Sequence, residues 1–375
     1  MRKLYVLAAL LAVCGLRAET QTLKLELNAA DTDRTNAVVR LAVSVPQAVA
    51  EAGVSVVGLG DKPVVGQLLA PGLLLNLAKV RQDPGQVVRE LVFVAPKLAK
   101  GVATPVTITL DTDAKPAGPV FAWTDSLPDW SELRLGAKPV MRYIRTPLSA
   151  DKAKRFDTMK VFHHVYDPDK GETLLTNGLG AKLYPHHRGV MYGFNKTSYV
   201  EPGADPKTAK SVDIWHCPEA YQLDGGTVSA EGGPVVGRHL VKIEWHGKGT
   251  DVFANELREV SIINTPGGLL MDWASRLSAT TWEVTLDGDP QHAGFHFRAN
   301  PEVADVTAKQ TYYLRPDGKG KLDETRNWPG QKEHINLPWD AMCFQLGGQR
   351  YTVAYLDRPE NPKEARFSER DYGRF

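Results

Sequence analysis

At 375 residues the chain is long enough for two domains. Its 45 basic and 44 acidic residues nearly cancel, which leaves no general attraction to nucleic acid. Three cysteines are too few for a zinc site of several thiolates, and the 33 glycines and 25 prolines favour many turns over long helices.

The opening MRKLYVLAALLAVCGLRAET carries Arg2 and Lys3, an apolar run from Leu4 to Leu16, and the small Ala18 before Glu19. This predicts a secretory signal peptide over residues 1–18, with an apolar run too short to span a bilayer. The expected product is exported, periplasmic or extracellular, and has no membrane span. Cleavage leaves Cys217 and Cys343, expected as one disulfide or as two buried thiols.

Residues 19–112 alternate in period two. Leu23, Leu25 and Leu27 share one face, and Val106, Ile108 and Leu110 share another. Short strands separated by polar turns predict an immunoglobulin-like β-sandwich. It carries no histidine and no chemical constellation, so it reads as a spacer or docking unit that can be separated from the rest. Residues 113–135 are rich in Pro, Gly and Asp and read as a linker, with Trp123 and Trp130 packing it against a neighbour.

Residues 136–375 contain strand candidates in VMRYIR, VFHHVYDP, VDIWHC, GRHLVKIEWHG, DVFANELREVSII, AGFHFRA and QRYTVAYL. They predict a larger antiparallel β-sandwich of the supersandwich kind, making the whole chain all-β. All ten histidines lie here, beginning with the pairs His163-His164 and His186-His187.

Neighbours on a strand point to opposite faces, so only one of His163 and His164 can reach a given cleft. Tyr184-Pro185 ends a strand, so His186, His187 and Arg188 are expected on a loop that aims both imidazoles inward. Gly189 gives the backbone freedom to turn there. Arg188 supplies a fixed cation for an oxyanion or a uronate carboxylate. Glu256, on one face with Arg258, is the complementary base. In VDIWHC, Asp213 and Trp215 share a strand face with His216 opposite, a pairing suited to sugar hydroxyls and CH faces. In HAGFHFR, His292, Gly294, His296 and Arg298 share a face that fits the floor of a polar cleft. At the usual strand rise His292 and His296 lie about 13 Å apart, too far to share a metal. HExxH, phosphate-loop, dinucleotide and GxSxG motifs are absent from the sequence.

FHHVYDPDKG, YPHHRG, VDIW, ELRE, the GF-x-F-R strand and the closing NP…RDYG together resemble, over Pro139 to Phe375, an exported bacterial family labelled methane oxygenase PmoA. The resemblance implies an all-β domain in bacteria rich in polysaccharide-degrading systems. Carried over residue by residue, it implies roles for His163, His186, His187, Arg188, Asp213, Trp215, Glu256, Arg258 and Arg298, and it adds Arg370 and Asp371. His296 stands where a simpler residue is usual. In that family the chain continues past the RDYG segment, whereas this one stops at Phe375.

The leading expectation is a carbohydrate-active enzyme, a hydrolase, lyase or epimerase. His186, His187, Arg188, His163 and Glu256 would do the chemistry, while Asp213, Trp215, Arg258, His296, Arg298, Arg370 and Asp371 bind a carbohydrate or other small polar ligand. A noncatalytic carbohydrate- or surface-binding protein and a copper or iron oxidoreductase held by histidines remain open, and the cofactor is undetermined. Convergence of three of the four paired histidines on one point would put the metal reading first.

Overall fold

The computed structural model describes residues 8–9 and 19–375, apart from 78, 79, 250 and 282. The expected signal peptide therefore lies outside the described residues, except for the backbone of Ala8 and Ala9, which pairs with Leu25 and Lys24. With 52% of residues in strands and 6% in helices, the molecule is all-β, built from antiparallel sheets in sandwich-like arrangements. Among the described residues no helix is long and apolar enough to cross a membrane.

The first unit contains the strands Thr20–Asn28, Arg34–Pro46, Gly53–Val57, Val64–Leu69, Gln86–Leu98 and Ala103–Asp111. The period-two pattern has its physical cause in the pleat. Leu23, Leu25 and Leu27 turn inward together and meet Val39, Val56, Leu91, Phe93, Ile108 and Leu110 in one core. Fully burying such a side chain stabilises by roughly 1.5–3 kcal/mol.

The second unit begins earlier than expected. Phe121–Ser126 and Trp130–Leu135, within the stretch read as a linker, are the first two strands of a six-stranded sheet. The sheet continues through Lys138–Ile144, Phe162–Val165, Val190–Phe194 and Ala293–Phe297. The Pro and Gly content belongs to the turns around these strands, while Phe121, Leu133 and Leu135 supply alternating buried residues. A four-stranded sheet, Tyr221–Glu231, Val236–His246, Val252–Thr265 and Gly268–Ala279, faces it. The two sheets meet through Tyr143, Val241, Ile243 and Trp245 in one cluster and Met141, Val260 and Ile262 in another. A further sheet holding Tyr312–Arg315, Trp339–Leu346 and Gln349–Leu356 packs on Val190 and Phe297.

The first unit is docked, not merely tethered. Leu69 and Val92 pack with Val235, Val236 and Ile263 of the second unit. The buried Gln67 carboxamide accepts from Val235 N and Val236 N at 3.0 and 2.9 Å. Glu90, fully buried, pairs with Arg238 at 2.7 Å. Removing one partner of a buried ion pair leaves an uncompensated charge, so separating the units would leave Glu90 or Arg238 to be solvated instead.

Cys217 and Cys343 are two separate buried thiols. Burial pushes the Cys217 thiol up to about 11, which keeps it protonated and unreactive.

Candidate metal centre

The six-stranded sheet sorts the predicted residues onto its two faces. Tyr143 pairs with His163, and Arg142 with His164. The pleat sends His163 into the interior between the sheets, where its ring lies 5.0 Å from Tyr143 and 5.2 Å from Trp273. His164 points the other way, with Nδ1 3.0 Å from Thr176 Oγ1 and its ring set edge-on to Phe162. Burial holds His163 well below the ordinary imidazole value, and the nearby Arg258 charge adds to it.

Glu256 also faces the interior. Its carboxylate accepts from Arg258 Nε at 2.8 Å and NH2 at 2.9 Å, from Trp245 Nε1 at 3.0 Å and from Ser275 Oγ at 2.8 Å. Glu256 and Arg258 are both fully buried, and Arg258 lies 4.6 Å over the Trp273 ring. A carboxylate with four donors and no solvent has no free lone pair for a substrate proton, so the role expected for Glu256 as a base, and for Arg258 as a ligand contact, is replaced by a structural one.

The strand Val190–Phe194 separates this ionic core from the paired histidines 186 and 187. Tyr192 pairs with Phe295 and lies against Trp245, which binds Glu256. Its neighbour Met191 pairs with His296 and packs with Phe162 and Trp215 on the opposite face. His163 and Glu256 are thus on one side of the sheet and the histidine loop is on the other. Only two of the four paired histidines come together, not the three whose convergence would put the metal reading first.

That loop is built by local backbone demands. Tyr184 takes φ +49°, and His187 N donates to Tyr184 O at 3.0 Å, closing a turn. Asn177 Nδ2 donates to His187 O. Gly189 has φ +29°, and a Cβ there would lie 2.2 Å from His163 O, so only glycine allows this approach. The result sets the rings of His186 and His187 4.3 Å apart. Arg188, by contrast, turns away: its guanidinium donates to Gly178 O at 2.9 Å and lies 5.0 Å over Phe156. Its hydrogen bonds go to Gly178, Phe156 and Asp157, not to the rings of His186 and His187.

Two turns of the same chemistry bring in more imidazoles. Asp213 does not lie on a strand with Trp215; it caps a turn, accepting from Trp215 N and His216 N at 2.9 and 2.7 Å. Its other oxygen binds His216 Nδ1 at 2.7 Å, placing that ring 4.5 Å from His186. Asp289 repeats the arrangement three residues before His292, whose Nδ1 it binds at 2.9 Å. The His292 ring then sits 4.7 Å from His216 and 5.8 Å from His187. His296, from the strand Ala293–Phe297, completes the group 5.0 Å from His187. The expected 13 Å separation of His292 and His296 assumed one continuous strand, but the strand starts at Ala293 and His292 belongs to the turn before it. Both rings border His187.

One ring nitrogen from each of His186, His187 and His292 can be chosen so that all three lie within 4.8 Å of one another. His186 Nε2 and both nitrogens of His187 are buried without a hydrogen-bond partner. Burial is the main cause that pulls His186 down to about 3 and His187 and His292 below the ordinary value, so all three are neutral at pH 7 with lone pairs free. Tetrahedral coordination at about 2.1 Å needs nitrogens roughly 3.4 Å apart, inside the 4.8 Å within which these nitrogens lie. The Asp289–His292 bond fixes that tautomer and leaves Nε2 to face an ion, the usual support for a metal-bound imidazole. His216 and His292 are part-exposed, with side chains at 35% and 21%, so the group opens to solvent on one side.

Besides the Asp213 and Asp289 carboxylates, the imidazoles have cations beside them. Lys160 Nζ, buried, donates to His186 O at 3.2 Å and to Trp215 O. Arg374 Nε donates to His296 Nδ1 at 3.3 Å, and burial lowers its basicity. Arg298 donates to Tyr372 O and stacks 4.5 Å over Tyr372, tying the C-terminal segment to the loop. Trp215 is 1% exposed, with the His187, His292 and His296 rings within 6 Å, so it is a wall of the cluster and not an open sugar platform. Arg370 bonds Asn327 and Glu369 O, and Asp371 accepts from Tyr372 N at 3.0 Å; both serve the local fold.

His216, Lys160, Asp289 and Arg374 are members that sequence reasoning gave no role, and His292, read as cleft floor, was judged too far from His296 to share a metal with it. The repeated Asp-x-x-His spacing at Asp213–His216 and Asp289–His292 was the signal available for three of them.

Residues 131–375 match the model of a family of unknown function, DUF6807. No curated protein and no solved structure matches the chain. The resemblance to the methane oxygenase PmoA family is thereby corrected: its landmarks fall inside the DUF6807 match, and no PmoA model matches. With about two thirds of its length covered, the chain belongs to the DUF6807 family.

Proposed function

We propose that the protein is an exported metal-dependent enzyme acting on a small polar anion, with sugar acids the favoured class. His186, His187 and His292 hold a divalent transition ion, and the open side next to His216 receives the ligand. The carrying observation is the set of three neutral imidazoles with nitrogens within 4.8 Å, two of them with unpartnered nitrogens and the third oriented by Asp289. Three histidines with an open position are the ligand set of catalytic sites, and such an ion supplies Lewis-acid polarisation or an activated water. Imidazole donors suit zinc, copper, iron and nickel.

Lys160 and Arg374 border the cluster, while the carboxylates of Asp213 and Asp289 are spent on His216 and His292. The two cations offset the two carboxylates, so the charge of a bound divalent ion is left over, and that favours an anionic ligand. A hydrolase working through Glu256 loses its support, because Glu256 is sealed on the far face of the sheet.

Elemental analysis of the purified protein, with reconstitution by Zn²⁺, Cu²⁺, Fe²⁺ and Ni²⁺, tests the reading. The His186→Ala/His187→Ala chain is expected to hold one equivalent of metal less than the unchanged chain. A screen of uronates and other sugar acids against the loaded protein then tests the substrate class. Equal metal content in the two chains refutes the centre.

A further inference from the structure

A second group of ligand atoms lies apart from the histidine cluster. His334 belongs to the loop before the strand Trp339–Leu346, Asp340 to that strand, and Glu369 to the C-terminal segment. One ligand atom from each can be chosen so that all lie within 4.8 Å of one another, and the three residues are 2%, 0% and 0% exposed. Glu369 is held by Arg315 through Nε at 2.7 Å and NH2 at 2.6 Å, and by Arg326 N at 2.8 Å. Asp340 has nothing comparable: both carboxylate oxygens are buried with no side-chain donor, and the Ala341 N–H beside them is off the geometry of a sound hydrogen bond. His334 Nε2, 3.3 Å from Glu369 Oε1, likewise has no geometrically sound hydrogen bond.

One arginine thus faces two buried carboxylates, and an unpaired buried carboxylate is costly unless something neutralises it. A proton shared between Asp340 and Glu369 would offset the charge but leave His334 Nε2 without a hydrogen bond. A cation at the point shared by Asp340, Glu369 and His334 would satisfy all three at once. We infer that this trio is a second, closed metal site, taking a structural divalent ion of the zinc or manganese class through two carboxylates and one imidazole.

The site joins three separate stretches of chain. Glu369 lies five residues before Arg374, which donates to His296. An ion here therefore pins the segment that closes one side of the histidine cluster. It is a positioning site, with all three of its ligand residues buried.

The test uses the full chain carrying His186→Ala/His187→Ala, stripped by chelator and titrated with Zn²⁺ and with Mn²⁺. One equivalent is expected to bind, and chelator is expected to lower the Tm by about 5 °C. Adding Asp340→Asn should abolish both effects. If that variant does not fold, His334→Gln, which keeps both carboxylates, replaces it with the same expected loss. Absence of metal in the His186→Ala/His187→Ala chain overturns the inference. So does a Tm that chelator leaves unchanged while Asp340→Asn raises it, the mark of two carboxyls sharing a proton. The two sites fail independently. Metal lost only with the histidine changes leaves the histidine centre standing alone, and metal lost only with Asp340→Asn removes that centre and keeps this one.

Discussion

Replacing Glu256 by Gln separates the structural role assigned above from the catalytic role its sequence context suggested. The change removes the negative charge from a fully buried carboxylate that binds Arg258 twice, Trp245 and Ser275. Breaking a buried pair by removing one partner costs about 3–5 kcal/mol, because the remaining charge has no solvent to return to. The amide also turns one acceptor into a donor facing Arg258, Trp245 and Ser275, which already donate, and each unsatisfied group adds about 1–3 kcal/mol. A loss of at least about 3 kcal/mol is expected, read by calorimetry or thermal circular dichroism as a fall in Tm of roughly 6–12 °C. Glu256→Leu/Arg258→Met removes both charges and should recover much of that loss, since an apolar replacement of a buried pair is often neutral. Metal content should be unchanged in the folded fraction of either variant. A Glu256→Gln chain that melts with the unchanged protein and yet loses turnover of a sugar acid would refute the structural assignment.

Three other outcomes follow from the same geometry. Asp289→Asn should weaken metal binding 10–100-fold by isothermal titration, because the Asp289 carboxylate bonds His292 Nδ1 and orients the ring; unaltered affinity would remove His292 from the ligand set. Gly189→Ala should destabilise by at least about 2 kcal/mol in urea unfolding, since its Cβ meets His163 O, and a neutral result would mean that the loop path is wrong. Burial holds His164 and His239 at about 4, below the ordinary 6.5, so the unfolded chain takes up their protons before the folded chain does. Their contribution is full above pH 6.5, falls by about 3 kcal/mol each as pH drops towards 4, and levels below; a flat urea stability from pH 7 to 4.5 would contradict it.

What was legible in the sequence was whatever depended on one residue's neighbours along the chain. Alternation at Leu23, Leu25 and Leu27 reads directly as a strand face, and the pairs at 163–164 and 186–187 identify the half of the molecule that carries the imidazoles. The assignment of Phe121–Leu135 to a linker failed because Pro and Gly in the turns outweighed two short strands whose partners are distant. The Glu256 role failed because solvation is not a property of spacing. An acid and an arginine two apart on a strand look alike whether the face is a cleft or a sealed core. Asp213 and Trp215 failed differently, since the side chain of Asp213 captures the backbone of residues 215 and 216 and turns what looked like a strand into a cap.

The two faces of the six-stranded sheet need each other. On the inner face, Glu256, Arg258, Trp245 and Trp273 form a saturated ionic and aromatic core whose parts have little freedom to repack. The strands resting on that core carry His296 and Met191 on the opposite face, and the loop bearing His186 and His187 is stitched to the same sheet through Gly189. Weakly solvated imidazoles would otherwise relax apart or rotate to find water. A rigid backing is therefore supplied from the side that never meets ligand, and the directional bonds of the buried Glu256 carboxylate are one part of it, alongside the packed Trp245 and Trp273 rings.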